Sequence, residues 1–272
     1  MACTNAVCSG GVCVFGGHAG QITVDLEVEG VANPVTRNAT FIITTCGGNV
    51  DTRVVPLTMD GFGQDTLTLS NVDVNAEWLA VREGHTLRKL VPLTFTNCEA
   101  TVDLTITSEL IAGDFQTPII PQDNLVDITD FSILAARLNQ PVDPTSEMEG
   151  DVSADGMHGT DDFATIQPNF FAVGDPVDGC PAPVSRDWTI DRLDPGAVRP
   201  WQIPQPRWRV SVEELGFDGA WRADLTGDGF VDLADVEAFA RMYGLRLDAR
   251  LQELIERERS VRTEKAYGRF RR

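Results

Sequence analysis

The stretch Asp224–Asp235, DLTGDGFVDLAD, sets oxygen-bearing side chains at the spacing a hard cation needs. Counting Asp224 as position 1, Thr226 falls at 3, Asp228 at 5, Gly229 at 6, Phe230 at 7, Asp232 at 9 and Asp235 at 12. A hard ion such as Ca²⁺ takes about six to eight oxygens at roughly 2.3–2.6 Å, one of them here the main-chain carbonyl of Phe230. Gly at position 6 permits the sharp turn that lets both ends of the loop face one ion. An apolar helix is expected directly behind, carried by Val236, Phe239, Ala240 and Tyr243.

The pattern recurs. Aligning the segments that start at Asp123, Asp155 and Asp228 puts Asp130, Asp162 and Asp235 in one column. Phe131, Phe163 and Val236 share the next column, then Leu134, Ile166 and Phe239, then Leu138, Phe170 and Tyr243. Self-similarity of this kind means one supersecondary unit used several times. The loops are of the EF-hand type except for Asp in place of Glu at position 12. With an apolar helix behind that Asp, the repeats resemble the dockerin family of calcium-binding modules. The resemblance implies Ca²⁺ as the cofactor, two repeats packed as an antiparallel pair, and docking into a cohesin module on a scaffold.

The second loop, DVSADGMHGTDD, offers Asp151, Ser153, Asp155, the Met157 carbonyl and Asp162, with Gly159 at position 9 leaving that place to water. His158 at position 8 reads as a solvated loop residue. The first loop is imperfect: Asp123, Asp127 and Asp130 hold positions 5, 9 and 12, and Leu125 supplies the position-7 carbonyl, but Ile119 and Pro121 fall at 1 and 3. Either this loop is a remnant held by packing, or Asp114 substitutes at position 1 while FQTPIIPQ bulges outward. Two ions are therefore expected, and a third if the first loop is re-routed.

Ahead of the repeats, residues 21–111 alternate as half-buried strands do: Ile22, Val24, Leu26 and Val28 stand against Thr23, Asp25 and Glu27. Six or seven short strands separated by turn signals imply an antiparallel β-sandwich. The fold class is thus mixed and multi-domain, an N-terminal β-sandwich followed by α-helical dockerin-like repeats. The expected spans are a Cys/Gly-rich segment at 1–20, the sandwich at 21–111, repeats 1 and 2 at 112–175, a Pro/Trp-rich linker at 176–210, a third, detached hand at 211–245 and a basic helical tail at 246–272. Pro168 should kink or cap the helix of repeat 2. The entering segment SVEELGF makes 211–244 read as a complete helix-loop-helix hand, which needs a partner in its own chain or another.

Six cysteines permit fifteen complete pairings. Cys46 and Cys98 each end a strand-like run, so a bridge between them is the preferred pairing, with free or buried thiols as the alternative. In the linker, Trp201 and Trp208 within WQIPQPRW form either a wrap over the chain's own domains or an extended strip for a protein or glycan. The tail places Leu247, Leu251, Leu254 and Ile255 at helical spacing before turning basic, and its cationic end is either solvated or docked on an acidic neighbour.

A net charge of -19, with nine basic residues against five acids in the last 28 positions, makes the body of the chain strongly acidic. Nucleic acid is disfavoured as a partner and divalent cations are favoured. No run of about 18 apolar residues exists to span a membrane, and the first residues lack an ordinary secretion signal. There is no HExxH, no Gly-x-Ser-x-Gly and no phosphate-cradling glycine loop, so no enzyme is expected. The leading expectation is a secreted, calcium-stabilised assembly or adhesion protein whose partner is a cohesin-like module. The alternative is a structural subunit that polymerises into an extracellular filament or surface layer, partnered by copies of itself.

Overall fold

The computed structural model describes residues 5–9, 12–16, 19–105, 109–147, 149–180 and 207–269, with backbone alone in the first two spans and beyond residue 260. Strands β1 (Asn5–Ser9) and β2 (Val12–Gly16) form an antiparallel hairpin. Seven strands follow: β3 (Ala19–Glu27), β4 (Val35–Thr44), β5 (Val50–Met59), β6 (Gln64–Asp73), β7 (Trp78–Glu83), β8 (Lys89–Pro92) and β9 (Glu99–Leu104). They make two sheets, in the orders β6-β3-β9 and β5-β4-β7-β8. The period-2 pattern sends Ile22, Val24 and Leu26 inward against Phe41, Leu57, Leu79 and Val81, all buried in one core. One pairing departs from the antiparallel expectation. β3 and β9, the first and last strands of the sandwich, run parallel.

The carboxy-terminal part contains α1 (Ile128–Arg137), α2 (Thr160–Ile166), β10 (Arg209–Ser211), α3 (Val212–Leu215), β11 (Phe230–Asp232), α4 (Leu233–Met242) and α5 (Ala249–Arg269). A short 3₁₀ turn at Gln167–Asn169 follows α2 and carries Pro168 in its first turn, where its missing N–H is harmless. Phe131, Phe163 and Phe239, one from each repeat, meet with ring centroids 6.0, 5.5 and 4.9 Å apart. Leu251 and Ile255 of α5 are buried in the same core.

This corrects the expectation of a detached third hand: its apolar stripe is satisfied inside its own chain, because Phe239 closes the space between Phe131 and Phe163. The hand is also less regular than expected. Gly216 (φ 65) ends α3 after one turn, and Gly219 (φ 84) starts a second short turn at Ala220–Ala223. Tyr243, aligned with the buried Phe170, is 40% exposed.

Sandwich and repeats also form a shared interface. Arg37 of β4, 2% exposed, donates to the carbonyls of Pro144, Val152 and Asp151 at 3.1, 3.4 and 2.6 Å. A buried guanidinium costs a great deal of hydration, and here three fixed acceptors offset it. At Gly30 (φ 84) a Cβ would lie 2.5 Å from Thr165 and 2.7 Å from Val152, so only glycine lets the two halves approach so closely.

After repeat 2 the chain returns along the sandwich. Asp175 N–H donates to the Arg88 carbonyl at 2.8 Å, and the Asp175 carboxylate accepts from Leu90 N–H at 2.9 Å. The return brings Cys180 to Cys46, with Cα atoms 5.3 Å apart. The expected Cys46–Cys98 bridge is therefore wrong: the two residues flank strands of different sheets, and Cys98 is disulfide-bonded otherwise. The 176–210 span is likewise no simple linker, since 176–180 lies on the sandwich and Trp208 stacks on Phe171 with centroids 4.0 Å apart. Trp201 and the basic tip of the tail lie outside the described side chains.

Candidate cation-binding loops

The three loops share one hydrogen-bond scheme. At position 1, Asp114 accepts the N–H groups of Asp123 and Asn124 at 3.2 and 3.0 Å. Asp151 accepts those of Asp155 and Gly156 at 3.3 and 3.0 Å. Asp224 accepts those of Asp228 and Gly229 at 3.1 and 2.8 Å. At position 5, Asp123, Asp155 and Asp228 accept the N–H two residues on, from Leu125, Met157 and Phe230, at 3.1, 2.8 and 3.0 Å. Position 6 is left-handed throughout: Asn124 has φ 68, Gly156 φ 85 and Gly229 φ 86. Asparagine is among the few non-glycine residues that adopt this conformation at modest cost.

Position 12 closes each loop. One oxygen of Asp130 accepts Phe115 N–H at 2.7 Å, and one oxygen of Asp162 accepts Val152 and Ser153 N–H at 2.9 and 3.0 Å. In the third loop the same role falls to Asp235, which accepts Thr226 N–H at 2.9 Å. The second oxygen takes the position-9 N–H of Asp127, Gly159 or Asp232 at 2.7, 2.7 and 2.8 Å. Positions 9 and 12 are also the N-cap and N3 residues of the following helix, so closing the loop and starting the helix are one event.

The first loop therefore has its position 1 at Asp114, with residues 116–122 as the excursion. Its hydrogen bonds follow the path through Asp114 that the re-routed reading requires. Ser153 and Thr226 hydroxyls lie 3.4 and 3.5 Å from Asp151 and Asp224, and nothing equivalent stands at position 3 of the first loop. Each position-7 residue is bridged to another segment, Leu125 to Val173, Met157 to Pro141 and Phe230 to Ser211, which fixes the carbonyls at that place.

The donor set is all hard oxygen, and the left-handed position-6 turns are those a twelve-residue cation loop needs, so the residues fit Ca²⁺. Among the described residues, no loop brings three carboxylate oxygens from different side chains within 4.8 Å of one another. A cation would complete its shell with hydroxyl, carbonyl and water oxygens. Electrostatically the loops are under load. Burial first, then the neighbouring Asp123 charge, pushes Asp114 up to about 8. Burial, followed by the charges of Asp114 and Asp127, holds Asp130 well above the carboxylate range. Burial raises Asp162 to about 7, and it raises Asp123 and Asp235 as well. A bound divalent cation would relieve that load.

Several neighbours were not legible as part of the site. Asn124 fills a place where glycine is expected. His158 is buried, not solvated, with Nδ1 3.3 Å from the Gln140 carbonyl, and burial lowers its pKa. Arg209 projects from β10 into the third loop, with its guanidinium 3.1 Å from Asp228 and 3.6 Å from Asp232. Its cross-strand pairing with Asp232 was the one available signal, and it depends on a strand three residues long.

No protein-family model matches the chain, and no curated protein matches it. Among solved structures, chains from two crystal structures of type II cohesin–X-dockerin complexes from Acetivibrio cellulolyticus are similar. A C-terminal interface mutant matches at 13% identity and TM-score 0.43, covering 57% of this chain and 97% of that one. An N-terminal interface mutant matches at 16% identity and TM-score 0.40, covering 57% and 96%. No helix among the described residues is long and apolar enough to cross a membrane.

Proposed function

We propose that the chain is a non-catalytic, calcium-organised assembly module of the extracellular space, joining a β-sandwich to three dockerin-like loop-helix repeats. The observation that carries this reading is the threefold repetition of one carboxylate scheme over a common aromatic core. Loops of this kind convert binding free energy into folding free energy, because clustered buried acids repel one another until a cation neutralises them. The Cys46–Cys180 bridge fits an oxidising compartment. The partner is a protein surface, with a cohesin-like module as the leading candidate.

The polymerising alternative needs exposed joints. The inward stripe of the third hand, Val236 and Phe239, and Leu251 and Ile255 of α5 lie in the chain's own core, which leaves Trp221, Met242 and Tyr243 among its exposed apolar side chains. The test is light scattering of the purified chain in millimolar Ca²⁺ and in chelator. A compact monomer with calcium supports the module reading. Large assemblies that dissolve in chelator would replace it with the filament.

A further inference from the structure

The third loop differs from the other two in one respect that follows from charge. Arg209, on the strand that pairs with β11, lays its guanidinium 3.6 Å from the centroid of the Phe230 ring, at position 7. From there it reaches Asp228 at position 5 and Asp232 at position 9. Among the described residues, no arginine or lysine is ion-paired with the carboxylates of the first or second loop, although the charges of Arg82 and Arg207 reach Asp114 and Asp123 of the first. The guanidinium is planar and weakly hydrated, so it stacks on an aromatic face and forks to carboxylates at the same time.

We propose that Arg209 is a tethered competitor for the third loop's cation: it neutralises Asp228 and Asp232 when the ion is absent and must swing aside for the ion to bind. The inference rests on the calcium reading of the loops and concerns their ranking. The second loop, with no such competitor, fills first. The third fills at higher calcium and releases Arg209, which adjoins Trp208 on the short strand leading into the hand. The chain thus has a graded response, with one loop structural and one loop sensitive to the surrounding concentration. The Arg209 and Asp228 side chains are each 43% accessible and Asp232 is 2% accessible, but the guanidinium itself stays in water and reaches Asp232 only at 3.6 Å, so the effect is modest. Two such pairs correspond to roughly a fivefold weakening of the loop's calcium affinity.

The experiment is calorimetric titration of CaCl₂ into the full chain, the Arg209→Gln variant and the Asp224→Ala variant. The heat missing in Asp224→Ala identifies the third loop. In Arg209→Gln that component should tighten about fivefold, while the remaining heats stay unchanged. The same variant should melt below the parent in chelator, having lost its internal counter-charge, and no lower than the parent in saturating calcium. A purely structural arginine would lower both. Unchanged third-loop affinity, with Asp224→Ala still removing one ion, would overturn the competitor alone. Absence of any calcium heat in the parent chain would remove the calcium reading together with it.

Discussion

The Asp130 carboxylate accepts the main-chain N–H of Phe115 at 2.7 Å, across fifteen residues of sequence. That contact makes Asp114, one residue earlier, the head of a loop whose position 5 lies nine residues further on. The chain spends the surplus as a surface excursion, and the carboxylate hydrogen bonds at positions 1, 5 and 12 close as in the two loops of ordinary length.

Asp114→Asn should therefore remove one bound ion, and its effect on stability should depend on conditions. In calcium at a hundred times the dissociation constant, the loss is about 2.7 kcal/mol, the linkage contribution of one site. In chelator the loss should be smaller, because the amide gives up one of the two accepting oxygens but also removes a carboxyl whose ionisation burial and the Asp123 charge already oppose. Equal losses in both conditions would mean that Asp114 acts through packing. Thermal melts with and without chelator separate the two outcomes.

Glu83 gives the sandwich an acid limit. Burial alone would raise its pKa, but the His85 ring at 3.0 Å and the Arg37 charge outweigh burial and hold it below the ordinary glutamate value of 4.5. Its folded-state pKa is depressed, so its contribution to stability is present above the unfolded value and is lost as pH falls through the folded one. Between pH 7 and about 5 it should contribute a constant amount, followed by a decline below about 4.5. Glu83→Gln should lose roughly 1–3 kcal/mol at neutral pH and show a shallower decline under acid. Urea melts at pH 7 and pH 3.5 read both quantities; identical acid slopes would contradict the account.

Phe239→Ala tests whether the third hand belongs to the same cooperative unit as the first two. The ring is 1% exposed and touches Phe131 and Phe163, so truncation should cost about 3–5 kcal/mol. The loss should appear as a lower midpoint of one transition covering all three repeats. A separate early transition confined to residues beyond 207 would show an independent hand.

The sequence exposed what is local. Alternation along Ile22–Val28 showed the sandwich, and the spacing of Asp224, Asp228 and Asp235 showed the loop, because strand period and ligand spacing are properties of a few consecutive residues. What escaped depends on distant parts of the chain meeting. Asp114 was legible only as one of two readings, since no local signal says that residues 116–122 bulge. Alignment put Asn124 in the column of Gly156 and Gly229, but its left-handed φ became visible only with the carboxylate contacts around it. The Cys46–Cys180 bridge requires knowing that 173–180 returns along β8. Integration of the third hand required three aromatic rings, more than thirty residues apart, to share one space.

The central claim is most directly tested by counting bound ions: calorimetric stoichiometry of Ca²⁺ on the chelator-stripped full chain, checked by elemental analysis of the dialysed protein. Three ions per chain, falling to two in each of Asp114→Asn, Asp151→Ala and Asp224→Ala, is the predicted result. A chain that binds none, with its melting temperature indifferent to chelator, would mean that the carboxylates serve only as helix caps and turn closures.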